Sequence, residues 1–194
     1  LRPCQVRGFG LGVMHARALY FARKDPRFAA YLTEGRAFGP HGEDLVLANS
    51  IDRYDDALSR ELTERVAHAN LEMRKLGFKP YVAPALSSGA LSLLALLRRE
   101  WHYSSVYMDD IFMGCRNRLT PDGAIETEHL TLPPALEARL AETAPRLPGG
   151  ADPSAASAGA AGAGASGDAA AAGGRGPGDG GAAARHRLRR CGPC

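Results

Sequence analysis

Apolar residues recur every three or four positions between Asp55 and Leu76. Leu58, Leu62, Val66, Ala69, Met73 and Leu76 form one stripe, with Glu and Arg between them. That period predicts a single long amphipathic helix, ended by Gly77, which tolerates the left-handed backbone of a C-cap. Downstream, APALSSGALSLLALLRREW, opened at Pro84, is apolar nearly all round. A helix with no polar face is expected to be buried. Upstream, VMHARALYFARK predicts a helix over 13–24, and residues 29–38 predict a strand ending at the Gly39-Pro40 turn. HYSSVYM, DIFMGC and AIETEHLTL predict three short strands, parted at Asp109-Asp110 and at Pro121-Asp122-Gly123. PPALEARLAE predicts a closing helix. Alternating helices and strands give an α/β body.

The pattern stops near Pro148. From Ala151 to Ala184 the chain is almost entirely Ala, Gly, Ser, Asp and Pro, with no aromatic or branched apolar side chain. Such a segment cannot bury enough surface to offset its ordering entropy, so disorder is expected. The division is thus a folded domain over 1–147 and a low-complexity tail over 148–194, closing on the basic RHRLRRCGPC.

Charge narrows the function classes. The 194-residue chain has a formal net charge of +3, from 24 basic and 21 acidic side chains. The tail holds five Arg and three Asp, which leaves the body 19 against 18. A nearly neutral body has no electrostatic footprint for nucleic acid. No stretch approaches the roughly 18 apolar residues of a membrane span. Cys4, Cys115, Cys191 and Cys194 show no framework spacing, which fits a reducing cytoplasm better than a disulfide scaffold. The chain begins at Leu1 and lacks the pattern of a signal peptide, so it reads as a fragment or a processed product.

Three short motifs suggest chemistry that their context does not support. CGPC, Cys191 to Cys194, has the spacing of a thioredoxin-type dithiol, but no sequence follows to make the helix that lowers the thiol pKa. YMDD, Tyr107 to Asp110, places two carboxylates as in a reverse-transcriptase hairpin. The neutral body lacks the basic template channel, and a two-Asp β-turn explains the pair. GFGLG followed by VMHARAL, Gly8 to Leu19, hints at a dinucleotide-binding turn, but it is G-x-G-x-G rather than G-x-G-x-x-G and reads as a glycine-rich entry into a helix.

Arg17 in VMHAR, followed by His41 in GPHGE (Gly39 to Glu43), is the pair that remains. An arginine fork matches a carboxylate in two parallel bonds. A histidine, with a pKa near 6.5, exchanges a hydroxyl proton reversibly near neutral pH. Arg17, His41-Gly42 and the APAL helix, in that order, resemble the lactate/malate dehydrogenase family. There a segment like L-D-S-A-R precedes one like G-E-H-G-D. The similarity covers most of residues 6–143, including LTERVAHANLEMRKLGF and the run from SSVYMDDIFMGC to PPALEARL.

The resemblance implies the α+β substrate-binding half of such a dehydrogenase. It implies Arg17 as the clamp on the substrate carboxylate and His41 as the proton-exchanging residue. It also implies NAD or NADP as cofactor, a 2-hydroxy or 2-oxo acid as substrate, and a homo-oligomer. Two departures stand against activity. Met14 falls where the family has the aspartate that orients the histidine, and a thioether cannot orient an imidazole as a carboxylate does. The Rossmann half that holds the dinucleotide is not upstream of Gly8, so turnover by this chain alone is not expected. The alternative is a non-catalytic scaffold or interaction module on the same fold.

Overall fold

The computed structural model describes residues 5–40, 42–77, 83–108 and 111–143. Its element order is α1 (Gly10–Lys24), a 3-10 turn (Pro26–Phe28), α2 (Tyr31–Glu34), β1 (Arg36–Phe38), β2 (Val46–Ala48), α3 (Asp56–Ala67), α4 (Ala69–Lys75), α5 (Ala83–Leu97), β3 (His102–Met108), β4 (Ile111–Leu119), β5 (Ile125–Thr127) and α6 (Pro134–Thr143). Two antiparallel sheets form: the β1-β2 hairpin, with Ala37 opposite Leu47, and β3-β4-β5, with Ser104 opposite Cys115 and Arg118 opposite Glu126. The proposed domain boundary near residue 147 lies outside the described residues, as do CGPC and both aspartates of YMDD.

Helix α1 is the organising element. It packs against α3, α5, β1 and β3. Leu11, Met14, Ala18 and Ala22 bury its inner face against Phe28, Tyr31, Ala37, Leu45, Leu47, Leu62 and Val66. Its contact with α5 is close because both partners are small. A Cβ on Gly12 would strike the Ser92 hydroxyl, and Gly89 faces Val13. Removing one fully buried leucine such as Leu62 would cost about 2–5 kcal/mol in lost transfer energy and cavity.

Four expectations need correction. Residues 29–38 are not one strand: Asp25 caps the 3-10 turn through the Arg27 N–H, Pro26 preorganises it, and only Arg36–Phe38 is extended. Phe28 and Tyr31 then fill the core from this turn rather than from a strand. The long helix over 55–76 breaks at His68, whose φ of −93° and ψ of 3° close α3 before α4 begins. The helix α5 is not buried all round. Leu91 and Leu97 are 65% and 72% exposed, and Leu93 and Leu94 lie beside them in solvent. Strand β4 runs past Cys115 to Leu119. Cys115 and Asn117 point inward, while Arg116 and Arg118 point out to Glu128 and Glu126, which is the period of two that a half-buried strand demands.

The short strand Val46–Ala48 carried no signal of its own in the sequence, yet it is buried throughout. Its environment is built by α3 and α6. Thr63 accepts the Leu47 N–H at 3.1 Å, Ser59 accepts the Asn49 N–H at 2.9 Å, and Arg139 donates to the Leu47 carbonyl at 3.2 Å.

Candidate functional site

Arg17 projects from α1 toward the last turn of α3. Its Nη1 donates to the Val66 carbonyl at 3.3 Å and lies 3.7 Å from the Met14 sulfur. Carbonyls in a final helical turn run out of intrahelical donors, so Val66 is a natural acceptor there. Both bonds leave from Nη1, and among the described residues no carboxylate pairs with this guanidinium. Partial burial strips water from the charge and lowers the Arg17 pKa. The arrangement is a cation held by one corner, with its remaining edge short of a partner.

Met14 is fully buried in the core cluster beside this arginine. It fills the space where an orienting carboxylate is expected, and a thioether is a weak acceptor at best. His15 turns the other way: its Nδ1 lies 3.0 Å from the Tyr31 hydroxyl and its ring 4.1 Å from the ring of Tyr103. It therefore does not substitute for the missing acid.

His41 itself lies outside the described residues, but the loop on either side of it is described. Gly39 takes a φ of +83° and donates its N–H to the Gly114 carbonyl at 2.9 Å, which ties the loop to β4. A Cβ on Gly114 would collide with the Gly39 carbonyl, so two glycines meet where backbones must touch. Gly42 has a φ of +125°, and its carbonyl accepts the Leu45 N–H at 3.2 Å. Leu45 then enters the same core cluster as Met14. The loop is thus anchored at both ends beside α1. A Cβ built on Gly42 would meet nothing within 4 Å, so that side of the loop is open.

The glycine-rich entry Gly8–Gly12 has other employment than a phosphate cradle. Gly8 exchanges both backbone bonds with Ser105, at 3.1 and 2.7 Å, and the Gly12 N–H bonds to the Phe9 carbonyl. The backbone N–H groups of Gly8 and Gly12 are therefore spent on protein carbonyls rather than aimed at a phosphate. No group of three or more metal-ligating side chains occurs among them, and none of their helices is long and apolar enough to cross a membrane. A Ser104–His102 contact of 3.3 Å resembles a nucleophile pair, but Ser104 is fully buried and donates to Asn117 Oδ1 at 3.0 Å. It is a core network.

Nothing in the sequence marks the Val66 carbonyl as a partner of Arg17. The segment AHAN at the helix break has no Gly or Pro, and only the weak helix preference of His and Asn marks it.

No protein-family model matches this chain, and no curated protein matches it. Among solved structures it is similar to a malate dehydrogenase from Archaeoglobus fulgidus in complex with NADH. The TM-score is 0.55 and the identity 17%, over 76% of this chain and 52% of that one. At that identity the likeness shows the fold alone. The chain has a distant malate dehydrogenase-like fold, and it spans about half the length of that enzyme.

Proposed function

We propose that this chain supplies the substrate-binding half of an NAD(P)-dependent dehydrogenase for a 2-hydroxy acid such as lactate or malate. The observation that carries the reading is the half-buried Arg17 guanidinium, anchored through Nη1 alone in a malate dehydrogenase-like fold. Its unpaired edge suits the two oxygens of a carboxylate, and such charge-assisted bonds are roughly twice as strong as neutral ones. His41, on the loop anchored by Gly39 and Gly114, takes the hydroxyl proton in one direction and returns it in the other. NAD or NADP supplies the hydride chemistry when bound, and its site is assigned to residues beyond those described or to a partner chain in the cytoplasm. Met14 in place of an acid leaves His41 without an orienting carboxylate, which slows proton transfer by on the order of 10²-fold or more.

The test is NADH oxidation by oxaloacetate and by pyruvate, using the longest polypeptide that contains this chain. His41→Asn should cut kcat, Arg17→Met should raise KM, and Met14→Asp should raise kcat. Absence of oxidation with both acids would sink the reading.

A non-catalytic interaction module is favoured by one observation, the exposed stripe of Leu91, Leu94 and Leu97 on α5. Monomeric proteins rarely leave such a patch uncovered, and a second copy is the occupant we infer. Light scattering would show a dimer that Leu94→Glu dissociates. A wild-type monomer would remove this reading.

A further inference from the structure

The face of α1 that turns away from Val66 holds a second group of titratable side chains. His15 is wedged between two phenols, Tyr31 on α2 and Tyr103 on β3, and its Nδ1 is within hydrogen-bonding distance of the Tyr31 hydroxyl. Two cations act on it from the sheets, Arg116 on β4 and Arg36 on β1. Both bond to Glu128: Arg36 through Nε at 2.7 Å and Nη2 at 2.9 Å, Arg116 through Nη1 at 2.6 Å. Burial opposes ionisation of Glu128, but these bonds override it and hold the carboxyl below its ordinary range.

The trio of Arg36, Arg116 and Glu128 therefore carries one net positive charge. Among the described residues, the other elements on α1 bring nothing that titrates against His15. From α5 come Gly89 and Ser92, from α3 Leu62 and Val66, and from the 3-10 turn Phe28. Asp25 and Arg27 bond to one another and to Arg65 and Glu61 in a separate surface network. An imidazole fits this slot when neutral. As an imidazolium it would be a desolvated cation with two further cations beside it and its nearest polar partner a phenol.

We propose that His15 is an acid-operated latch on α1: protonation expels its ring from between Tyr31 and Tyr103 and loosens the helix from the sheet. Arg17 lies two residues on, so release of the latch also withdraws the guanidinium from the Val66 carbonyl. That second consequence rests on the carboxylate-binding reading of Arg17; the latch does not. Burial, then the charges of Arg116 and Arg36, push the His15 pKa down to about 4, so the ring stays neutral in place through mild acid.

The experiment compares unfolding of the wild type and His15→Phe from pH 7 to pH 4. With the folded value near 4 and an unpaired histidine near 6.5, the wild-type unfolding constant should rise on the order of 10²-fold more than that of the variant. Parallel pH profiles overturn the latch. Should the phenylalanine variant fail to fold, ring-proton NMR and amide exchange on the wild type decide. A His15 ring that titrates near pH 4, together with faster exchange in α1, supports it. A ring that titrates near 6.5 with α1 exchange unchanged overturns it. Neither readout involves a carboxylate ligand, so a failure of Arg17 to bind one would leave the result standing.

Discussion

Arg17 and Arg139 both bond to the unit built by α3 and the β1-β2 hairpin, and they are held differently. Arg139, on α6, is 6% exposed and uses two nitrogens, one on the Leu47 carbonyl and one on the Thr63 hydroxyl at 2.9 Å. It also acts on Tyr54 and Asp56 close by. Arg17 is only half buried and uses one nitrogen, on a carbonyl and a thioether. A guanidinium that closes a core is surrounded by acceptors, because an uncompensated buried charge is costly. One that serves a ligand keeps acceptors back. The contrast separates a structural arginine from a candidate site arginine without reference to any relative.

Stability measurements on the two sharpen the contrast most. Arg139→Ala should lower the unfolding free energy by about 3–5 kcal/mol, since it strips donors from buried acceptors. Arg17→Ala should cost less than about 1 kcal/mol. Equal losses in denaturant melts would make Arg17 another structural residue. Acid gives the next largest effect. The folded protein holds His15 at about 4, below the 6.5 of an unpaired ring, so the unfolded chain binds more protons between those values. Stability from this group is therefore complete above about pH 6.5 and falls as the pH drops toward 4, by up to about 3 kcal/mol.

The loop that carries His41 offers a third test. Gly39→Ala puts a Cβ against the Asp44 carbonyl at a φ of +83°, and should destabilise by about 1–3 kcal/mol. An unchanged melt would mean that the anchor to Gly114 is dispensable. The smallest effect has the opposite sign. Arg99 closes α5 with a φ of 60°, and the Glu100 N–H reaches back to the Ala95 carbonyl at 2.8 Å. Arg99→Gly should stabilise by about 0.5–1 kcal/mol, read as a higher melting temperature.

How much of this was legible in the sequence follows from which signals are local. The amphipathic period of Leu58, Leu62 and Val66 marked the inner face of α3, because that face is set by spacing alone. Gly39 marks the turn, because positive φ leaves few other residues. The break at His68 and the strand Val46–Ala48 were not legible, since tertiary packing by Thr63, Ser59 and Arg139 decides them. The exposed side of α5 is not legible, because apolar composition does not say that a partner is present. Arg17 and Met14 could be singled out by resemblance, but the bond to Val66 joins residues 49 positions apart, and no periodicity reports it.

The central claim is that Arg17 keeps a free edge for a carboxylate. The direct measurement is an NMR titration with malonate that follows the arginine Nε–Hε signals in the wild type and the backbone amide signals in both the wild type and Arg17→Lys. The account predicts a saturable shift of the Arg17 signal, with affinity at least tenfold weaker in the lysine variant, which cannot make the paired bonds. An Arg17 signal that malonate leaves unmoved, or equal affinity in the variant, would contradict it.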